Sequence, residues 1–135
     1  MKWARECAEH VLPLIDKEAD QRLIYALEVA KEWEHDHVRT GLAIKASLSA
    51  HEAARESESP ISKTIARAIG QAVATAHMAD HSLGAAFFAL KAVKLADGDV
   101  DKERKWQITK LSELPPDIIA IVQAMWKKKE LDRRI

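Results

Sequence analysis

The chain has 135 residues, with 21 lysines and arginines against 21 aspartates and glutamates, six histidines and one cysteine. The balanced charge argues against a nucleic-acid-binding surface, and a single cysteine excludes an internal disulfide framework. Charged residues at the start, with no apolar run, indicate no signal peptide, so we expect a cytoplasmic protein. Few glycines and prolines and many alanines predict an all-α fold in one domain, residues 1–135.

The first part of the chain predicts three amphipathic helices. The first spans residues 2–12 and ends near Pro13, because proline disfavours helical geometry in the residue before it. Asp20 is the predicted N-cap of the second helix, and Thr40 that of the third, which runs to about Arg55. The apolar residues expected to face the core are Leu23, Ile24, Leu27, Ala30 and Trp33 in the second helix and Leu42, Ile44 and Leu48 in the third.

An alanine-rich segment, Ser62–Ala96, is the predicted centre of the fold. Between Ala68 and Leu90 its only formal charge is Asp80, and a helix that is apolar nearly all round belongs in the interior of a bundle. The aspartate argues against a membrane span, since a charge at mid-span costs roughly 2.5–3.5 kcal/mol on insertion scales. One helix of roughly 35 residues would be long for a domain of this size. We therefore expect a break near Asp80, with Ser82 as the cap of a second helix.

The last part of the chain predicts two more helices. Asp97-Gly98-Asp99 is a stop signal followed by a new N-cap, and Pro115-Pro116 separates the two helices. Residues 130–135 are expected to form a frayed tail. Together these signals predict a single-domain bundle of six or seven helices around a buried alanine-rich central helix or helix pair.

Polar side chains interrupt the apolar central segment at His77, Asp80 and His81. On a continuous helix the two histidines project from one face, one turn apart, and the aspartate can reach either ring. Buried polar groups require hydrogen-bond partners. The expected partners lie on the polar edges of the amphipathic helices: Arg5, His10, Arg22, His51 and Arg55.

Four interpretations of this cluster are compatible with the residues alone. They are a satisfied buried network that fixes helix register, a pocket or partner-recognition site with His51, His77 and His81 at its rim, a metal site in which Cys7 and His10 join His77 and His81, and acid–base or hydrolytic catalysis. The HxxxH pair lacks the glutamate of an HExxH metalloprotease. Because no nucleophile elbow, glycine-rich phosphate loop or CxxC pair occurs, we expect no catalytic residues and no cofactor.

Four stretches of the sequence together point to a known family. They are CAEHVLP at residues 7–13, AHEAARE at residues 50–56, AVATAHMADHSLGAA at residues 72–86, and Trp106-Gln107 followed by Leu114-Pro115. In this order they resemble an all-helical bacterial family of immunity proteins, small cytosolic domains associated with polymorphic toxin systems. The similarity extends from about Trp3 to Met125.

The resemblance implies a non-enzymatic protein that binds and neutralises a cognate toxin. Occlusion by a preformed helical surface is the expected mechanism, with no nucleic-acid or membrane partner. By the same resemblance, the counterparts of the family's polar positions are His51, Arg55, His77, Asp80 and His81.

The outer side of the second predicted helix offers a candidate partner face. It is acidic, and its residues are Glu28, Glu32, Glu34 and Asp36. Two alternative functions stay open at this point. One is a metal- or small-molecule-binding helical protein, possibly a hydrolase, with a site at His77, Asp80 and His81, and the other is a purely structural dimerisation module.

Overall fold

Seven α-helices and two short 3-10 helices account for the secondary structure of the computed structural model, which describes residues 1–135. The predicted all-α fold, with six or seven helices in one domain, is confirmed. The α-helices are α1 (Lys2–Val11), α2 (Gln21–Glu34), α3 (Thr40–Glu56), α4 (Pro60–Ala74), α5 (His81–Leu95), α6 (Val100–Leu111) and α7 (Pro116–Lys128), and the 3-10 helices are Leu12–Leu14 and Leu131–Arg134.

The helix pair α4 and α5 lies at the centre of the bundle, as predicted. The two helices pack against each other, α4 also contacts α1, α2 and α3, and α5 also contacts α1 and α6. Their buried faces consist largely of alanine, which lets the helix backbones approach closely. The residues that are fully buried at this centre include Ile65, Ala68, Ile69, Ala72, Val73, Ala85, Ala86, Ala89 and Leu90.

The break between α4 and α5 lies earlier than predicted. The backbone N–H groups of Thr75, Ala76 and His77 donate to carbonyls three residues back, at 3.1–3.3 Å, so the end of α4 tightens into turns. The Thr75 hydroxyl also donates to the backbone carbonyl four residues back, at 3.2 Å. Because α5 already begins at His81, the prediction that Ser82 caps this helix is wrong.

Two of the four predicted N-caps are confirmed. The Asp20 carboxylate accepts the backbone N–H two residues on, at 2.9 Å, and the Asp99 carboxylate accepts the one three residues on, at 3.0 Å. Thr40 is instead the first residue of α3, and its hydroxyl accepts a hydrogen bond from the Trp33 indole at 3.2 Å. The prediction of Thr40 as a cap is therefore wrong, because Arg39 occupies the N-cap position and no side chain caps the helix.

Helix α3 buries a face of small residues rather than its leucines. Leu48 is 61% exposed and Leu42 is 37% exposed, so their prediction as core residues is wrong. Small side chains allow α3 and α4 to pack closely, and the larger leucine side chains remain exposed to solvent. The buried residues of α3 are Ala43, Ala46, Ser47, Ala50, Ala53 and Ala54.

The C-terminal residues differ from the expected frayed tail. Residues 131–134 form a 3-10 helix, and Leu131 is buried beside Trp126. Both belong to a second hydrophobic cluster beside the central pair, which consists of Trp3, Cys7, Leu83, Ala86, Leu90, Leu111, Trp126 and Leu131. The Trp126 indole N–H donates to the Asp132 carboxylate at 2.8 Å.

Helix α7 lies on the surface of the bundle, and Trp126 is its only buried residue. None of the helices combines the length and the hydropathy needed to cross a membrane.

Candidate functional site

The predicted polar cluster of the central segment lies at the surface rather than in the core. His77 and Asp80 are exposed in the turn between α4 and α5, and His81 is half-buried at the start of α5. Asp80 pairs with Lys129 at 3.4 Å rather than with a histidine. The prediction of a buried cluster is wrong because the helix breaks before His77 and leaves that residue in an open turn.

His81 is held by the central helix pair. Its Nδ1 lies 2.7 Å from the Gln71 side-chain oxygen, which requires a proton on Nδ1 as the donor. A Cβ added at Gly84 would lie only 2.7 Å from the same oxygen, so the glycine leaves room for the glutamine. The His77 and His81 ring centroids are 5.2 Å apart. The imidazole of His81 is thus oriented by α4.

A second imidazole lies between α3 and α4. The Arg67 guanidinium donates from Nη1 to Nδ1 of His51 at 2.8 Å, so this ring accepts through Nδ1. A Cβ added at Gly70 would lie 2.6–2.8 Å from atoms of the His51 ring, so the ring rests directly on the α4 backbone. The buried Ser47 hydroxyl, one turn earlier on α3, donates to the Gly70 carbonyl at 2.8 Å.

The environment of His51 opposes its positive charge. Its pKa is lowered first by burial, then by the positive charges of Arg67 and Arg55, and least by the neighbouring His81. Arg55 lies four residues after His51 on α3, so both side chains project from the same face of the helix. We name these connected residues of α3, α4 and α5 the histidine–arginine seam, and they are His51, Arg55, Arg67, Gln71, His77 and His81.

The two arginines of the seam have no acidic partner. Neither Arg55 nor Arg67 lies within 4.0 Å of a carboxylate, whereas Arg5, Arg22 and Arg104 each form an ion pair. The seam is therefore a small surface of uncompensated positive charge in a protein of zero formal net charge.

The structure adds Arg67 and Gln71 to the predicted residues. These two side chains are four residues apart in the part of α4 that follows Thr64, where all the other residues are apolar. That spacing is the sequence signal that could have identified them.

The four residues of the alternative metal-site interpretation, Cys7, His10, His77 and His81, are not brought together. Cys7 is fully buried in the second hydrophobic cluster, and burial is the main cause that raises the pKa of its thiol. His10 stacks on Trp106 with ring centroids 3.6 Å apart, away from the turn that holds His77. No three histidine, cysteine, aspartate or glutamate side chains converge to hold a metal ion.

Only three of the four residues predicted for the acidic face are exposed. Glu34 points inward and receives two hydrogen bonds from the Arg5 guanidinium, at 2.7 and 3.0 Å, and each side chain is only 12% exposed. These bonds are the main cause that raises the pKa of Arg5. The exposed carboxylates of α2 and its end are therefore Glu28, Glu32 and Asp36.

An apolar groove of about 560 Å³ opens between the start of α1, the α4–α5 turn and α7. Apolar residues of α7 face this groove and remain partly accessible: Ile118 is 40% and Ile121 is 59% exposed. The apolar residues that line the groove include Trp3, Leu83, Leu114, Ile118, Ile121, Val122 and Met125.

Comparison with known proteins identifies the family of the chain. Residues 1–114 match the family model described as "Imm-5 like putative immunity protein", so the match includes α1 to α6 and the whole histidine–arginine seam. Neither the curated proteins nor the solved structures yield a match. The chain belongs to the Imm-5 like immunity protein family.

Proposed function

We propose that this protein is an immunity protein that binds a cognate toxin and neutralises it without catalysing a reaction. The observation that carries the proposal is the family match over residues 1–114. That match describes the class of protein. The neutralising, non-enzymatic mode of action is the inference made here, and it draws support from the geometry of the surface.

The seam is suited to binding rather than to nucleophilic catalysis. The His51 ring is hydrogen-bonded to Arg67 and the His81 ring to Gln71, and neither ring is hydrogen-bonded to a serine or cysteine side chain that could serve as a nucleophile. Cys7, whose thiol could serve as a nucleophile, is fully buried, and burial raises its pKa.

Occlusion of the toxin's active site or substrate channel is the proposed mechanism. A standard interface buries about 800 Å² on each partner, which is roughly a tenth of the 7758 Å² accessible surface of this chain. The alanine-packed pair α4–α5 gives a rigid base for such a surface, and a preformed surface loses little conformational entropy on binding.

Coexpression with candidate toxins tests the proposal. Any toxin domains that are encoded beside this gene are expressed in a susceptible host with and without the protein. We expect one of them to be lethal alone, tolerated with the protein, and recovered with it as a stoichiometric complex by size-exclusion chromatography with light scattering. Failure of every such domain to bind the folded protein would overturn the proposal.

The apolar groove supports a second candidate function, the binding of a small apolar molecule. Its volume of about 560 Å³ lies within the usual range for ligand pockets. Native mass spectrometry of the purified protein tests this function. A bound molecule that is lost in the Val122→Asp variant would support it, and an unliganded mass would contradict it.

A further inference from the structure

We propose that the histidine–arginine seam binds a carboxylate group of the partner toxin, with Arg67 as the direct ligand and His51 as the residue that positions it. The proposal rests on the proposed function, because it names the chemistry of the toxin surface that this protein would recognise. Neither the family description nor the resemblance of the sequence assigns a role to Arg67.

Arg67 has unused hydrogen-bonding capacity. A guanidinium carries five N–H donors in a planar fork, and the structure gives Arg67 a single hydrogen bond, to His51. Its side chain is half-buried, and no carboxylate lies within 4.0 Å. A partly desolvated guanidinium with free donors is suited to a bidentate bond with a carboxylate.

His51 fixes the direction of Arg67 without cancelling its charge. A carboxylate in the same place would neutralise the arginine, whereas a neutral imidazole accepts one N–H through its lone pair and leaves the positive charge available. Burial and the nearby Arg55 lower the pKa of His51, which favours this neutral, accepting form at pH 7.

Two glycines leave the space that two side chains of the seam occupy, which indicates that the arrangement is specific. Gly70 lies under the His51 ring and Gly84 under the Gln71 side chain, and a Cβ at either position would come within 2.8 Å of the side chain above it. Each glycine costs roughly 1 kcal/mol of helix propensity relative to alanine. In return the two polar groups lie against the helix backbones in fixed positions, which lowers the entropy lost on binding.

A protein carboxylate fits the seam better than the phosphates of a nucleic acid. Nucleic-acid binding requires several cations that follow a phosphate backbone, often with aromatic side chains for stacking. The seam has two permanent cations, Arg55 and Arg67, and the chain as a whole has no net charge.

Affinity measurements with the toxin test the direct role of Arg67. Arg67→Gln is expected to raise the Kd by at least about tenfold, since a hydrogen bond between charged groups contributes more than 1.4 kcal/mol. The matched control is Arg39→Gln, because Arg39 is exposed, lies outside the seam and forms no ion pair. We expect the control to bind within about twofold of the wild type. Equal affinities for Arg67→Gln and the wild type would overturn the proposal.

Substitutions at His51 and Gly70 test the positioning role. His51→Gln keeps an acceptor for Arg67 and is expected to retain affinity, whereas His51→Leu is expected to weaken binding as much as Arg67→Gln. Gly70→Ala should displace the ring and weaken binding, while Gly41→Ala is the control, because nothing lies within 4 Å of a Cβ there. Circular dichroism and thermal melting must show each variant folded. If His51→Leu binds like His51→Gln, the positioning role is wrong.

A toxin-independent probe separates this proposal from the proposed function. A hexaglutamate peptide is titrated into the labelled protein while the Arg67 side-chain NMR signals are followed, with hexaglutamine and inorganic phosphate as parallel arms. We expect saturable shifts with hexaglutamate only, reduced by salt and absent in Arg67→Gln. Shifts with phosphate alone, or with none of the probes, would overturn the carboxylate assignment. A toxin that binds Arg67→Gln normally would leave the proposed function standing without the seam.

Discussion

At the scale of single residues, the most informative side chain is His51, a half-buried imidazole beside two arginines. It accepts from Arg67 at 2.8 Å, and its positively charged form is opposed by burial and by Arg67, Arg55 and His81. A protonated imidazole has no lone pair at Nδ1, so protonation must break the bond to Arg67 and place two positive charges in contact. His51 therefore links the pH of the solution to the arrangement of the seam.

We expect His51 to make the protein less stable at mildly acid pH. Its folded-state pKa lies below the unfolded value of about 6.5. Between these two values the unfolded chain binds more protons, so the free energy of unfolding falls as the pH is lowered through this window. His51→Gln lacks the effect because glutamine does not titrate.

Urea denaturation at pH 7, 6 and 5 measures this dependence. The wild type should lose more stability than His51→Gln across the series, and the other histidines cancel in the comparison because both proteins contain them. Asp20, whose pKa is lowered mainly by its hydrogen bond with Arg22, should lose its contribution only near and below about pH 4. Parallel stability profiles for the two proteins would contradict the prediction.

At the scale of elements, the ion pair between Arg5 and Glu34 joins α1 to α2. The guanidinium makes two hydrogen bonds to the carboxylate, and both side chains are 12% exposed. Removing Glu34 would leave the poorly solvated Arg5 guanidinium with only its single hydrogen bond to Glu9, at 3.0 Å. We expect Glu34→Gln to lower the free energy of unfolding by about 2 kcal/mol.

The neighbouring Glu32→Gln is the matched control for this prediction. Glu32 lies on the same helix, is exposed and pairs only with the exposed His37, at 2.7 Å. Exposed ion pairs contribute about 0–1 kcal/mol, so the control should unfold close to the wild type. Similar losses for the two variants in guanidinium or urea titrations would show that the Arg5–Glu34 pair contributes no more than a surface pair.

The elements that sequence reasoning predicted correctly are those specified by local chemistry. Asp20 and Asp99 were identified as N-caps because a carboxylate satisfies the free N–H groups of the first helical turn. The buried pair α4–α5 was identified because few charged residues occur in a long alanine-rich segment. In each case the residues that cause the structure are neighbours along the chain, so the sequence alone is enough to predict it.

The incorrect predictions depended on contacts between helices. Leu48 has the spacing of a core residue, but the small residues of α3 provide a closer contact with α4, and the leucine remains outside. Of the site, His51 and His81 were identified, whereas Arg67 was missed because its role depends on an imidazole sixteen residues away. Such contacts depend on how the helices pack against one another, and the hydrophobic periodicity of each helix does not specify that packing.

At the scale of the whole molecule, the net charge is zero, but separate surfaces carry charges of opposite sign. Three exposed carboxylates, Glu28, Glu32 and Asp36, lie on and just after α2, and two arginines without an acidic partner, Arg55 and Arg67, lie in the seam on α3 and α4. A molecule without net charge gains no general electrostatic steering toward a charged partner. Local surfaces of this kind must then supply any charge-dependent acceleration of binding.

We expect the acidic face to affect the association rate of the toxin complex. Replacing both Glu28 and Glu32 by lysine should slow association a few-fold at low salt and change dissociation little, because charges at the rim act mainly during encounter. Glu34 is left unchanged, since its substitution would destabilise the fold. Surface plasmon resonance at several salt concentrations measures both rates.

The control for this prediction is the double variant Glu18→Lys and Glu58→Lys. It changes the net charge by the same amount, and its two exposed glutamates form no ion pair. If only the Glu28 and Glu32 variant associates slowly, and the difference disappears at high salt, the acidic face of α2 meets the toxin during encounter. Equal slowing in both variants would assign the effect to net charge. Unchanged rates in both would remove the α2 face from the interface and leave the seam as the charged surface that the toxin contacts.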